Sequence, residues 1–255
     1  RKLLDGYRKN YQDEEFFRRC QVYMLFEGSG YFFWDDFMDN RKINKKKVKT
    51  LFENFNKERL GISYQVAGVE LIYGSMYSEE WKKGFLEGAE DYFADRLKDN
   101  RGETIQAFSS AEAFGRFFGL RIMRKEAEKN KEDILKFSQD NAKVVKEELL
   151  DILCGQKGWE EETKALLSSK KAAERELAVR VLTRWDEDGT AYKEILSKAL
   201  EKEKNGKVKL LLESVLNAGG AGGQKCAGGK SLTRMDLVKE LHKGGAKRSL
   251  AWAYQ

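Results

Sequence analysis

Six basic side chains lie within nine consecutive positions in the N-terminal part of the chain. They are Arg41, Lys42, Lys45, Lys46, Lys47 and Lys49. Binding to phosphate groups needs cations that are clustered in this way, rather than a mild overall excess of positive charge. The segment therefore predicts an anion-binding or nucleic-acid-binding patch. A simpler interpretation is a solvated helix start, because aspartates lie beside the lysines and no arginine-aromatic pattern follows.

Acidic and imidazole side chains offer few further candidates for chemistry. Asp35, Asp36 and Asp39 could form a weak magnesium site or an acid and base pair, but no partner for them is visible elsewhere. His242 is the single histidine, which excludes sites built from several imidazoles. A catalytic imidazole also needs an orienting partner and a nucleophile. We therefore favour a solvated acidic face and a structural histidine.

Two loop-like segments approach known ligand-binding motifs without matching them. A glycine cluster before Lys230 and Ser231 evokes a phosphate-binding loop, but Gln224 stands where the first glycine belongs. Around Asp186 the chain resembles the middle of a calcium loop, yet Arg184 and Ile195 occupy the first and twelfth ligand positions. We expect neither cofactor nor metal. Residues 218–230 are predicted to form a flexible glycine-rich linker.

Composition narrows the classes of protein. The 255 residues include no proline, 35% charged residues and 41% hydrophobic residues, which excludes collagen-like, proline-rich and disordered polyelectrolyte classes. The three cysteines are too widely spaced for a Cys-x-x-Cys pair, which favours a reducing cytosol. The longest weakly charged stretch carries Glu70 in its middle, and we predict no membrane span. A cytoplasmic location follows as an expectation.

The elements that position these residues are predicted to be helices almost throughout. Apolar residues recur at helical spacing, as in the stripe Val48, Leu51, Phe52 and Phe55, which Asn44 could cap. Ser78 is predicted to open a second amphipathic helix. Of the 30 aromatic residues, 24 fall within positions 1–118. We therefore predict an all-α fold with an aromatic-rich helical region over residues 1–130, whose aromatic stripes form ordinary core.

Three predicted helices in the second half share one register. Val145, Leu149 and Leu153 align with Leu177, Val181 and Trp185 at a shift of 32, and these align with Val208, Leu212 and Leu216 at a shift of 31. The intervening helices agree, because Trp159, Leu166 and Leu167 match Tyr192, Ala199 and Leu200 at a shift of 33. This period predicts stacked helical hairpins over residues 131–217. Chance similarity among leucine-rich amphipathic helices is the alternative, since only core positions match.

Two segments resemble known families. The stretches ERELAVRVLTRW (174–185) and YKEILSKALEKEKNGKVKLLLESVL (192–216) resemble HEAT-like alpha-solenoid repeats, although they lack the proline that often bends the first helix. The segment SLTRMDLVKELHKGGAKRSLAWAY (231–254) resembles a helical stretch in large bacterial proteins of the molybdate metabolism regulator type. That resemblance implies a fragment of a larger multidomain protein, with a truncated helical segment over residues 231–255. It supplies no functional residues.

These observations predict a non-catalytic helical-repeat scaffold or protein-interaction module within a larger bacterial, regulatory protein. Its partner would be a protein. The alternative is a nucleic-acid-binding helical solenoid that uses its basic patches. An enzyme is the third reading, with the three aspartates or His242 as the only nominees.

Overall fold

The computed structural model describes residues 14–27, 37–186 and 189–218, and within these ranges the protein is all-α, as predicted. Twelve α-helices are described: α1 (Glu14–Phe26), α2 (Lys45–Lys57), α3 (Ile62–Gly74), α4 (Glu79–Asp99), α5 (Arg101–Ser110), α6 (Ala113–Arg124), α7 (Lys131–Leu135), α8 (Lys143–Cys154), α9 (Glu160–Leu167), α10 (Ala172–Trp185), α11 (Lys193–Lys202) and α12 (Gly206–Ala218). Short 3-10 turns occupy Ala127–Asn130, Lys136–Gln139 and Lys157–Trp159. The chain divides into two compact units, one up to Leu166 and one from Leu167.

Several predicted features lie outside the described residues. They are Asp35, Asp36, His242, Asp188 of the segment that resembles a calcium loop, the third cysteine Cys226, the glycine-rich segment 219–230 and the segment 231–255.

The core of the first unit is a cluster of aromatic rings contributed by α2, α4, α5 and α6. Phe52 lies at its centre, with ring centroids 5.6 Å from Tyr92 and 5.4 Å from Phe93. Phe93 in turn lies 5.3 Å from Phe118 and 6.0 Å from Phe108. The four phenylalanines are fully buried. For these rings the helical spacing predicted core correctly, since each buried ring removes a large apolar surface from water. It did not do so for Phe16 and Tyr23 of α1, which are exposed.

A small antiparallel hairpin precedes α2, and the sequence did not predict it. Its strands are β1 (Met38–Asp39) and β2 (Lys42–Ile43), and the turn residues Asn40 and Arg41 both have positive φ, 49° and 64°. Two residues of positive φ define the type I′ turn, whose twist suits a two-residue hairpin. The hairpin brings Asn44 to the start of α2, where its side chain accepts hydrogen bonds from the backbone N–H groups of Lys46 and Lys47, as predicted for an N-cap.

Helix α4 crosses α2 at a very short distance, which only a glycine permits. A Cβ atom built on Gly88 would lie 2.9 Å from the Lys45 carbonyl oxygen and 2.8 Å from Val48 Cβ. The bare backbone at this position lets the basic first turn of α2 rest directly on α4. The acidic residues of α4 are thereby placed beside the lysines of α2.

The helices of the predicted repeats are present, and their aligned residues are mostly buried. Val145, Leu149 and Leu153 of α8, Leu177, Val181 and Trp185 of α10, and Val208 and Leu212 of α12 are buried, while Leu216 is half-buried. In the second unit α12 packs against both α10 and α11. The stacking of these helices into a solenoid stays a prediction.

One network of contacts occurs twice, once in each unit. Arg116, the fourth residue of α6, forms a bidentate pair with Asp140, three residues before α8, and its Nη1 donates to the Ala111 carbonyl. Arg175, the fourth residue of α10, pairs in the same way with Glu203, three residues before α12, and its Nη1 donates to the Ser169 carbonyl. Each arginine thus ties the first turn of its helix to the residues just before α8 or α12. Bidentate pairs of this kind hold a fixed geometry.

Candidate interaction surfaces

The residues of the predicted basic patch lie on the hairpin and on the first two turns of α2. Arg41 lies in the turn, Lys42 lies on β2, and the remaining four lysines lie on α2. All are exposed except Lys49, which is half-buried. The first turn of α2 contains no acidic residue. Because the N-terminus of a helix carries partial positive charge, lysines there are electrostatically unfavourable and raise the local positive potential.

Carboxylates neutralise half of this patch. Lys45 Nζ lies 2.6 Å from Glu87 Oε2, Lys49 Nζ lies 2.7 Å from Asp95 Oδ2, and Lys47 pairs with Asp39. Hydrogen bonds to these carboxylates raise the pKa of Lys45 and of Lys49. Glu87 and Asp95 belong to α4, whose close packing against α2 supplies them. Nothing near the lysines in sequence announces these two partners.

Asp39 contacts the residues that begin α2. Its carboxylate accepts hydrogen bonds from Lys47 and from Asn44 Nδ2, the latter at 2.6 Å, and both lower the pKa of Asp39. Among the described residues no group of three or more histidine, cysteine or acidic side chains could hold a metal ion. Arg41, Lys42 and Lys46 form no ion pair with another described residue. The patch that remains for a phosphate ligand therefore consists of three cations.

A second surface is a groove along α1, which the sequence did not predict. Its volume is about 780 Å³, and it lies between α1 and the turn that joins α2 to α3. Leu25 anchors α1, because its side chain is fully buried and reaches Gly68 of α3. A Cβ atom on Gly68 would lie only 2.9 Å from Leu25 Cδ2. The apolar side of α1 is thus held against α3, and its other side borders the groove.

Ion pairs fasten α1 to the end of α2. Arg18 Nε lies 2.8 Å from Glu58 Oε1 and Arg19 Nε lies 3.5 Å from Glu58 Oε2, while Arg19 also pairs with Glu15. The Glu58 side chain is largely buried by these contacts. Glu58 itself caps the C-terminus of α2, and its backbone N–H donates to the Asn54 carbonyl. These contacts therefore fix the position of Glu58 in the lining of the groove.

Aromatic side chains stand exposed along the groove. Tyr23 and Phe26 line it, and their exposed fractions are 66% and 48%. Tyr64 of α3 is 60% exposed, and its ring meets that of Phe26 edge to face at a centroid distance of 5.8 Å. A hydrogen bond to the Glu27 carboxylate, and the charge of that group, raise the pKa of Tyr23. Large exposed rings beside arginines are the residue types that dominate the energetics of protein interfaces.

Comparison of the chain with protein-family models, with curated proteins and with solved structures found no match. No helix in the part of the chain that the structure describes is long and apolar enough to cross a membrane.

Proposed function

We propose that this chain is a non-catalytic helical-repeat scaffold that binds a protein partner, as part of a larger bacterial, regulatory protein. The observation that carries the proposal is the groove on α1, where Tyr23 and Phe26 are exposed beside arginine and lysine side chains and Phe26 contacts the exposed ring of Tyr64. When a partner covers exposed aromatic residues, their burial contributes favourably to the free energy of binding. The rings lose little side-chain entropy when they are covered. The recurrent arginine–carboxylate network supports the repeat architecture.

A photo-crosslinking amino acid tests this proposal. It would replace Tyr23 in the groove and, as a matched control, Leu210, an exposed residue of α12. We expect the variant at position 23 to capture one protein that the control does not, and we expect the purified partner to bind the wild-type chain. The double change Phe26→Ala and Tyr64→Ala should abolish that binding. Recovery of nucleic acid alone, or of the same proteins at both positions, contradicts the proposal.

Nucleic-acid binding is the second candidate, and Arg41, Lys42 and Lys46 favour it, because they form no ion pair with any residue that the structure describes. If these three side chains contact phosphates, the logarithm of the binding constant should fall with the logarithm of salt concentration at a slope of about −2.7 for duplex DNA. Titration of duplex and single-stranded oligonucleotides at several salt concentrations measures that slope. The triple glutamine variant should bring it close to zero. Absence of salt-sensitive binding eliminates this candidate.

A further inference from the structure

The α1 groove carries an imbalance of charge that only its pairing pattern shows. Four cations line it, Arg18, Arg19, Lys57 and Arg59, together with three carboxylates, Glu15, Glu27 and Glu58. Arg18 and Arg19 are engaged with Glu58 and Glu15, whereas Glu27 forms no ion pair with any residue that the structure describes. Lys57 and Arg59 form no ion pair with any residue that the structure describes. Two unpaired cations against the one unpaired carboxylate of Glu27 leave the groove with a net positive charge, and both cations lie at the α2–α3 turn.

Arg59 holds a backbone conformation that suits glycine. Its φ is 58°, in the left-handed region, directly after the C-terminus of α2. Helices commonly end in this way. Glycine or asparagine usually occupies the position, because the backbone of most other residues with a Cβ atom is strained there. An arginine at this point costs stability without forming an ion pair among the described residues. Strain of this kind is typical of positions where the side chain serves a ligand.

We infer that the α1 groove binds an acidic peptide segment of a partner protein, with carboxylates against Lys57 and Arg59 and an apolar side chain on Phe26 and Tyr64. The inference rests on the proposed function and specifies the chemistry of its partner. A peptide can present both a carboxylate and an apolar side chain to the same groove.

A nucleic acid fits this groove less well, although aromatic rings beside cations can also stack bases. Its backbone carries a charge on every phosphate. Glu15 and Glu27 lie along the groove and would oppose such an evenly spaced negative chain. The distribution of charge therefore favours an acidic peptide.

Selection from a library of short random peptides, with the full chain as bait, tests the inference. We expect the enriched peptides to combine aspartate or glutamate with leucine or an aromatic residue. The double charge reversal Lys57→Glu and Arg59→Glu should lower the affinity for a selected synthetic peptide by about tenfold or more, because two attractive contacts become repulsive. The matched control is Lys42→Glu with Lys46→Glu, which reverses two cations elsewhere in the same unit that also lack an ion pair among the described residues, and it should leave the affinity unchanged.

The variant Arg59→Gly tests whether a loss of folding, and not a loss of contacts, weakens peptide binding. It should raise the midpoint of thermal unfolding, since glycine relieves the left-handed strain, and it should lower peptide affinity at the same time. Enrichment of neutral or basic peptides that still need Tyr64 overturns the acidic partner and leaves the proposed function standing. If the selection enriches no peptide at all, the inference is overturned as well. If position 23 also captures no protein partner, the proposed function falls with it. The inference is likewise overturned if an oligonucleotide displaces the bound peptide more strongly than unlabelled peptide does.

Discussion

Replacement of Glu203 by glutamine tests how the second unit is held together. In the folded chain both carboxylate oxygens of Glu203 accept hydrogen bonds from Arg175, at 2.7 Å each, and Oε1 also accepts the Asn205 backbone N–H at 2.7 Å. Only 3% of the Glu203 side chain is exposed, against 18% for Arg175. Glutamine preserves the size of the side chain and removes its charge. The neutral amide can satisfy one of the two arginine donors at best.

The magnitude follows from the pKa of Glu203. The hydrogen bonds from Arg175 are the largest cause of a fall in this pKa from 4.5 to about 2. At 1.36 kcal/mol per unit, this fall corresponds to about 3 kcal/mol of stability at neutral pH. Solvent reaches part of the arginine, so we expect a measured loss of about 2 kcal/mol for Glu203→Gln. A depressed folded-state pKa contributes stability above the unfolded value of 4.5, and the contribution is lost as pH falls towards 2.

Native-state hydrogen exchange of the amides in α10 and α12 measures this loss within the second unit. After correction for the intrinsic effect of pH, the difference between wild type and Glu203→Gln should be about 2 kcal/mol at about pH 7 and less than half of that at about pH 3. Equal protection of the two proteins at neutral pH would refute the reasoning. A difference that does not change with pH would show that packing, and not charge, is responsible.

Two comparisons separate this contact from ordinary surface ion pairs. Glu194 and Lys198 form an exposed pair on α11, so Glu194→Gln should leave the protection of the same amides unchanged. Asp140 occupies the equivalent position in the first unit. Burial raises its pKa, but hydrogen bonds from Arg116 and from the Ala142 N–H outweigh that effect and lower it. Asp140→Asn should therefore reduce protection in α6 and α8, with the same dependence on pH.

Two further predictions concern the first unit. Gly88→Ala forces a Cβ atom against the backbone of α2 and should lower the free energy of unfolding by about 2 kcal/mol in urea denaturation, whereas Gly102→Ala meets nothing within 4 Å and should not lower it. Tyr92 donates a hydrogen bond of 2.8 Å to the buried Gln65, and burial raises its pKa to about 12. Tyr92→Phe should therefore cost about 1 to 3 kcal/mol at neutral pH. The burial of the neutral phenol should make wild type, unlike this variant, lose stability as alkaline pH rises from 10 towards 12 in denaturation experiments.

The sequence predicted the helices well because their signals are local. Asn44 and Ser78 both cap the helices assigned to them, and the stripe from Val48 to Phe55 is buried. The hairpin before α2 escaped prediction for physical reasons. Strands of two residues are too short to show an alternating pattern, and its turn has Arg41 where a type I′ turn usually has glycine.

The candidate sites were harder to predict because they depend on distant pairing. Lys45 and Lys49 looked like ligands for phosphate, yet their partners lie about 40 residues away on α4. The α1 groove carried only a weak signal. Tyr64 lies off the apolar stripe of α3, and Arg18 and Arg19 stand one turn before Tyr23, a combination that places a ring beside charge on an exposed face. Only the three-dimensional structure shows that no described carboxylate forms an ion pair with Lys57 or Arg59.

The lack of proline acquires a physical explanation at the helix connections. Asp140, Ser169 and Glu203 each accept a hydrogen bond from the backbone N–H two residues further on, and a helix begins at the third residue in every case. A proline at that second position would have a suitable φ at Ala142, where φ is −71°, but it would remove the N–H that the side chain accepts. These acceptors are 29 and 34 residues apart, close to the period of the buried leucine pattern. At these three connections a side-chain acceptor therefore takes the place that a stiff proline could occupy, and the carboxylates at positions 140 and 203 also bind an arginine of an earlier helix.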